Sequence, residues 1–166
     1  TEGLVQAISS SHKKNGLYIQ ILEGDYHLKS SISIPSNTII EGVSANKCLL
    51  TFTIQGHFID DPMQTVSAVT FSESKNSVIK NLTLNYQFND HKPKAGLSYT
   101  SLWRNDIFSN NPNGDTSRYV GLVAFKNSEN CLLDNCNIIN AGTDPIIVAR
   151  SKNISIVGCY VSGSFN

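Results

Sequence analysis

An all-β solenoid whose coils each present three strand faces is the fold class predicted by the sequence, and three observations predict it. The segment SENCLLDNCNIIN (128–140) returns 23 residues later as SKNISIVGCYVSG (151–163) with few identities, and SKNSVIKNLTL (74–84) is an earlier copy. Apolar residues alternate on both sides of one fixed Asn or Gly in each copy. Short apolar runs, AVTF, LVAF and IIV, stand upstream of the three copies in the same order.

Alternation over a few residues marks a short strand with one face inward, so each copy reads as two strands joined by a tight bend. Ser77 and Ile79 precede Asn81, and Leu82 and Leu84 follow it. Cys131 and Leu133 precede Asn135, with Cys136 and Ile138 after it; Ile154 and Ile156 precede Gly158, with Cys159 and Val161 after it. Asn and Gly enter the left-handed backbone region at low cost, so the bend column predicts positive φ at Asn81, Asn135 and Gly158, with Gly42 of IIEGV as a fourth member. A two-strand corner repeated at such a period is one coil of a solenoid. Aligning the upstream runs on it stacks Val69, Val123 and Ile146, and then Phe71, Phe125 and Val148, as the first of three faces. The second face lies before the bend and the third after it, with adjacent coils about 4.8 Å apart.

The chain resembles the right-handed parallel β-helix of the pectin-lyase-like superfamily, which includes polygalacturonases, polysaccharide lyases and phage tailspikes. The opening TEGLVQAISSSHKKNGLYIQILEGDYHLKSSISIPSNTIIEG carries the resemblance. A helix is followed by a strand, a Gly-x-Tyr turn at Gly24 and Tyr26, and then the SISIPSNTIIEG run. The resemblance implies a right-handed parallel β-helix with a short N-terminal capping helix. Leu4 and Ile8 lie four apart with Val5 beside them, enough for a short helix to cover the open end of the stack. The leucine-rich repeat is the rival solenoid, but its columns demand Leu where these hold Val, Ile, Phe, Cys and Ser.

Residues 1–166 fit one domain, and because terminal repeats of solenoids are normally capped, both ends are expected to be cut from a longer chain. Zero formal net charge with 16% charged residues offers no basic stripe for nucleic acid or anionic membrane. No apolar run approaches the length of a membrane-inserting helix. Cys48, Cys131, Cys136 and Cys159 read as free thiols filling small core positions, and no Cys or His spacing suits a metal. Unpaired thiols point to folding in a reducing compartment, as for a viral structural protein made in a bacterial cytoplasm.

Chemistry is expected in the loops from the third face to the next first face, residues 55–66, 85–118 and 139–145. Ser74 and Ser128 are 54 residues apart against 23 for the next pair, so the 85–118 loop is a long insertion, and such insertions are usually functional or flexible. Six of the eight aspartates sit in these loops: Asp60, Asp61, Asp90, Asp106, Asp115 and Asp144. Hydrolysis of a glycosidic bond needs one protonated carboxyl to donate to the leaving oxygen and one carboxylate to activate water or attack carbon. The plain alternative is that Asp favours turns through local backbone hydrogen bonds. The catalytic candidates are Asp144, Asp60 and Asp61. AGTDPIIVARSKNISI resembles the polygalacturonase stretch in which Asn-Thr-Asp-Gly precedes a strand: Thr143 and Asp144 match, while Gly142 and Pro145 replace the Asn and Gly. That family's Asp-Asp pair one coil later has no match at Phe165-Asn166.

Lyases of this fold imply a different chemistry, in which an Arg or Lys removes the proton next to a uronate carboxyl, with calcium offsetting the acid's charge. Arg104, Arg118 and Arg150 stand on or beside the loop side as substrate-binding or basic groups, and Asp60-Asp61 supply oxygen atoms of the kind calcium takes. Hydrolysis needs no cofactor. Trp103 and Tyr99, in the insert, offer rings to stack on sugar faces or to pin the insert on the solenoid. The outward positions of the first face, Thr70, Ala124 and Ile147 with Leu122 adjacent, hold no proton-transfer group, and such an apolar strip should be covered by the insert or by a neighbouring subunit. Two functional readings follow: a polysaccharide-degrading β-helix, hydrolase before lyase, or a phage tail spike that recognises host surface glycan, trimeric and on the virion. Both place the chain outside the cell or on a virion surface. A purely structural spacer would leave the insert unexplained.

Overall fold

The computed structural model of the chain describes residues 2–11, 16–53, 67–86, 121–141 and 145–163. Helix α1 (Glu2–Ser11) leads into strands β1 (Leu17–Ile21) and β2 (Gly24–Leu28). Three further coils follow as β3 (Ile32–Ser33), β4 (Thr38–Gly42) and β5 (Cys48–Phe52); β6 (Ser67–Ser72), β7 (Val78–Lys80) and β8 (Thr83–Tyr86); and β9 (Gly121–Lys126), β10 (Glu129–Asp134) and β11 (Asn137–Ile139). The last described coil is β12 (Ile146–Ala149), β13 (Lys152–Val157) and β14 (Tyr160–Ser162). Three parallel sheets result: sheet A in the order β1-β4-β7-β10-β13, sheet B as β2-β5-β8-β11-β14, and sheet C as β3-β6-β9-β12. This is the right-handed parallel β-helix that the resemblance implies, built from the three-faced coils that the repeats predict, with one short helix.

The expected columns are present residue for residue. Val69 pairs with Val123 and Val123 with Ile146, while Phe71 pairs with Phe125 and Phe125 with Val148. The Phe71 and Phe125 rings stack with centroids 4.5 Å apart and an interplanar angle of 20°. Cys131 and Leu133 face inward on sheet A, and Leu84 and Ile138 are stacked and buried on sheet B. Each such buried aliphatic side chain contributes roughly 1.5–3 kcal/mol, and the columns merge into one continuous core that thins at the last described coil, where Val148, Ile156 and Val161 are exposed. Ile8 of α1 is buried and Leu4 and Val5 pack beside it against the core, so the helix covers the stack as expected. Cys48, Cys131 and Cys136 are buried free thiols, and Cys159 is half-buried in the same column as Cys136.

The bends also follow expectation, with φ of 57° at Asn81, 48° at Asn135 and 61° at Gly158. Gly42 does not share this conformation; it ends β4 with an ordinary backbone. Its glycine is required by close approach instead, because a Cβ there would collide with the Asn81 carbonyl oxygen and the Leu82 side chain. The segment read as a Gly-x-Tyr turn is strand β2, in which Tyr26 packs partly against the core and its hydroxyl donates to the Leu22 carbonyl at 3.1 Å.

The Ser-x-Asn tripeptides at 74–76, 128–130 and 151–153, with Pro35-Ser36-Asn37 in the coil before them, form a second corner. Asn37, Asn76, Asn130 and Asn153 all have φ between 53° and 57°. Each amide donates to the preceding one, Asn76 to Asn37 at 3.2 Å, Asn130 to Asn76 at 3.3 Å and Asn153 to Asn130 at 3.0 Å. Beneath them the serine hydroxyls satisfy turn carbonyls: Ser74 donates to Ile34, Ser128 to Phe71 at 2.9 Å, and Ser151 to Ala149 at 3.0 Å. Backbone bonds between stacked corners, such as Asn76 N–H to the Glu129 carbonyl at 3.1 Å, satisfy part of each turn, and the side chains supply acceptors and donors for the rest.

Candidate functional site

Sheets B and C meet at the edge from which the expected loops depart. Segments 54–66, 87–120 and 142–144 leave after Thr53, Tyr86 and Ala141 and return at Ser67, Gly121 and Pro145. Their stems are in register. Phe52 pairs with Tyr86, Asn85 with Ile139, and Ser67 with Gly121, while the Val123 amide donates to the Pro145 carbonyl at 3.0 Å. Three stems thus stack along one edge, one coil rise of about 4.8 Å apart. Asp144, Asp60, Asp61, Trp103, Arg104, Tyr99 and Arg118 lie outside the described residues, on the segments between those stems.

Arg150 is described, and it stands elsewhere. It follows β12 at the opposite end of sheet C from Pro145, in an exposed left-handed position with φ 50°, stacked with Glu73 (φ 55°) and Asn127 (φ 50°). The whole of β12 separates it from Pro145, five residue steps or roughly 16 Å at 3.3 Å per residue. The expectation that Arg150 flanks the loop side is corrected accordingly.

On the side of sheet B nearest the stems runs a polar network that the repeat pattern does not announce. The Asp25 carboxylate accepts from Thr51 Oγ1 at 3.2 Å and lies 3.3 Å from His27 Nε2. Asn85 donates to Thr51 Oγ1 at 3.4 Å, and Asn140 donates to Asn85 Oδ1 at 2.8 Å. Asp25 and His27 are two apart on one strand, so both project outward, and each is about half exposed. A carboxylate that fixes an imidazole while a hydroxyl holds the carboxylate can position a base or bind hydroxyl groups. Its members come from coils 26 to 55 residues apart, which is why local pattern reading misses it. The available signal was the Asp-x-His spacing on a strand whose outer face is otherwise polar.

Sheets C and A present different surroundings. Of the outward strip of sheet C, Ala124 and the adjacent Leu122 are buried, whereas Thr70 and Ile147 are half-buried. On sheet A, Glu41 accepts from Tyr18 at 3.0 Å and Asn81 at 3.3 Å and pairs with Lys80 at 3.1 Å. Lys80 and Tyr18 hold the Glu41 carboxyl below its ordinary range, and Glu41 in turn raises the Tyr18 phenol. With both oxygens committed, Glu41 anchors adjacent coils. Glu129 likewise bridges Lys75 at 3.8 Å and Lys152 at 3.0 Å. Among the described residues no group of three or more His, Cys, Asp or Glu side chains is placed to hold a metal.

No family model matches the chain, and no curated protein is similar to it. Solved structures are. One is described as a "putative glycosyl hydrolase" from Parabacteroides merdae ATCC 43184, with a TM-score of 0.65 at 15% identity, the match covering 99% of this chain and 67% of that one. Another is a pectin methylesterase mutant in complex with a hexasaccharide, with a TM-score of 0.59 at 14% identity, covering 95% of this chain and 44% of the other. At such identities the likeness establishes a shared parallel β-helix fold, and this chain spans only part of either protein.

Proposed function

We propose that this chain is a β-helix module of a carbohydrate-active protein that binds and cleaves a polysaccharide along the edge between sheets B and C. The observation that carries the reading is the in-register stacking of three stems on one edge. It gives acids far apart in sequence, Asp60, Asp61 and Asp144, a common origin on the solenoid. The similarity of fold to a described glycosyl hydrolase and to a hexasaccharide-bound pectin methylesterase supports a sugar polymer as the ligand. Hydrolysis is favoured over elimination because the segments are rich in carboxylates, whereas Arg150, one of three candidate bases, stands at the far end of sheet C. In this reading Asp144 works with Asp60 or Asp61 as the acid and base pair, Trp103 and Tyr99 stack on sugar rings, and Arg104 and Arg118 bind polar groups of the polymer.

The second reading, a phage tail spike or appendage that recognises host surface glycan, is favoured by the free thiols, since Cys48, Cys131 and Cys136 are buried and unpaired. It carries with it the trimer and the virion surface. A panel of polysaccharides incubated with the protein separates the readings. Hydrolysis releases reducing ends without ultraviolet-absorbing unsaturated uronates, and Asp144→Asn is expected to lower the rate by about 100-fold or more with affinity retained. Unsaturated product would establish elimination, and affinity without any cleavage would leave the spike.

A further inference from the structure

The outer face of sheet B carries a second set of groups, away from the stems, that neither the fold nor the proposed cleavage uses. Asn137 on β11 faces outward between Thr83 on β8 and Tyr160 on β14, because Asn137 pairs with both. Its Nδ2 donates to Thr83 Oγ1 at 3.1 Å and to Asn46 Oδ1 at 3.4 Å. Thr83 is itself fixed, since its hydroxyl donates to the Ala45 carbonyl at 2.5 Å. Spending the amide nitrogen on the β8 side turns Oδ1 toward β14. There it has no partner among the described residues and stands ready to accept. One coil further on, Tyr160 pairs in register with Asn137 while its neighbour Cys159 packs on the core, so the ring lies on the same outer face.

An oriented acceptor one coil rise, about 4.8 Å, from an exposed ring is suited to a sugar that rests an apolar face on the aromatic and donates a hydroxyl to the amide. Charge narrows the class. The outward strand positions of sheet B carry no lysine or arginine and a single carboxylate, Asp25, and Lys47 in the adjoining turn is held by Glu23 at 3.1 Å. His27, the one ionisable nitrogen on these strands, lies against the Asp25 carboxylate at 3.3 Å, so among the described residues, apart from Lys29 in the turn after β2, no free cation stands beside this face to pair the carboxylates of a polyuronate. We propose that the outer face of sheet B holds a binding subsite for a neutral polysaccharide, with Tyr160 as stacking platform and Asn137 as oriented acceptor, separate from the loop edge. The proposal rests on the carbohydrate reading for the class of ligand but not on cleavage.

Affinity gel electrophoresis of the protein in arabinoxylan, galactomannan and mixed-linkage glucan, with polygalacturonate as the anionic probe, tests it. At least one neutral polymer should retard the protein. Tyr160→Ala should weaken that retardation about three- to ten-fold, Tyr160→Phe should preserve it, and Asn137→Leu should weaken it with the thermal midpoint followed alongside. Cleavage is read separately, by reducing ends released from the same polymers: retardation that depends on Tyr160 without any release fails the cleavage reading alone, and release without Tyr160-dependent retardation fails this proposal alone. Retardation by polygalacturonate alone, equal retardation of wild type and Tyr160→Ala, or no retardation by any neutral polymer would each overturn the proposal. Self-association lost in Tyr160→Ala without glycan retardation would overturn it in favour of a contact between copies.

Discussion

Replacing Asn135 tests the bend from which the coil was deduced. Its φ of 48° costs an ordinary L-residue roughly 1–2 kcal/mol relative to the right-handed region, and the cost is greatest for a β-branched side chain. Its Nδ2 also donates to Asn81 Oδ1 at 2.7 Å, a bond worth about 0.5–1.5 kcal/mol in an exposed neutral pair. Asn135→Val forfeits both and should destabilise by about 2–3 kcal/mol. Asn135→Gly forfeits only the hydrogen bond and should cost about 1 kcal/mol or less. The same column supplies the reciprocal experiment at Gly158, where an added Cβ would lie 3.7 Å from the nearest Asn135 atoms, an ordinary contact. Gly158→Asn fits this space and can donate from its amide to Asn135 Oδ1, which together with a narrower unfolded ensemble offsets the strain of a side chain at a φ of 61°, for a small net gain of about 0–0.5 kcal/mol. Urea unfolding followed by far-ultraviolet circular dichroism reads all three. With a slope near 2 kcal/mol/M, Val should lower the midpoint by about 1 M and Gly by less than half of that. A Val variant no less stable than the Gly variant, or a Gly158→Asn variant of lower midpoint, would refute the reasoning.

Two further outcomes test the register and the core. Leu133 is fully buried on sheet A and its neighbour Leu132 faces outward, so Leu133→Asp should prevent folding at room temperature while Leu132→Asp should cost about 1 kcal/mol or less; equal damage in thermal melts would contradict the alternation. Burial pushes the Cys136 thiol up to about 12, so native-state alkylation near pH 8, read by peptide mass spectrometry, should spare Cys136 and label half-buried Cys159 first; early labelling of Cys136 would show that coil to be open.

The coil was legible because every copy must solve the same problem. A side chain at Val69, Val123 or Ile146 meets the same neighbours above and below, so period-two alternation and a recurrent Asn or Gly survive where identities do not. Ser-x-Asn was visible as a marker, but its role was not. The ladder through Asn37, Asn76, Asn130 and Asn153 exists only once coils 23 to 54 residues apart are stacked. Gly42 misled for a related reason: glycine serves two needs, positive φ and close approach, and sequence alone does not say which. The Asp25, His27 and Thr51 network and the Asn137 amide escaped notice because outward positions carry no periodic constraint. Segments 54–66 and 87–120 are aperiodic, so the sequence located their stems while their candidate acids remained a matter of chemistry and not of pattern.

The asparagine rungs all point one way. Asn76, Asn130 and Asn153 donate toward the N-terminal coil, and so do Asn135 and Asn140 in their own columns. Each column is therefore a vector, with a spare acceptor on one end and a spare donor on the other. A coil inserted or deleted in register adds or removes one donor and one acceptor together, leaving every remaining rung satisfied. An inverted coil would set carbonyl against carbonyl. Lengthening or shortening such a protein by whole coils is thus neutral to its corners, and two stacks can be spliced head to tail but never head to head.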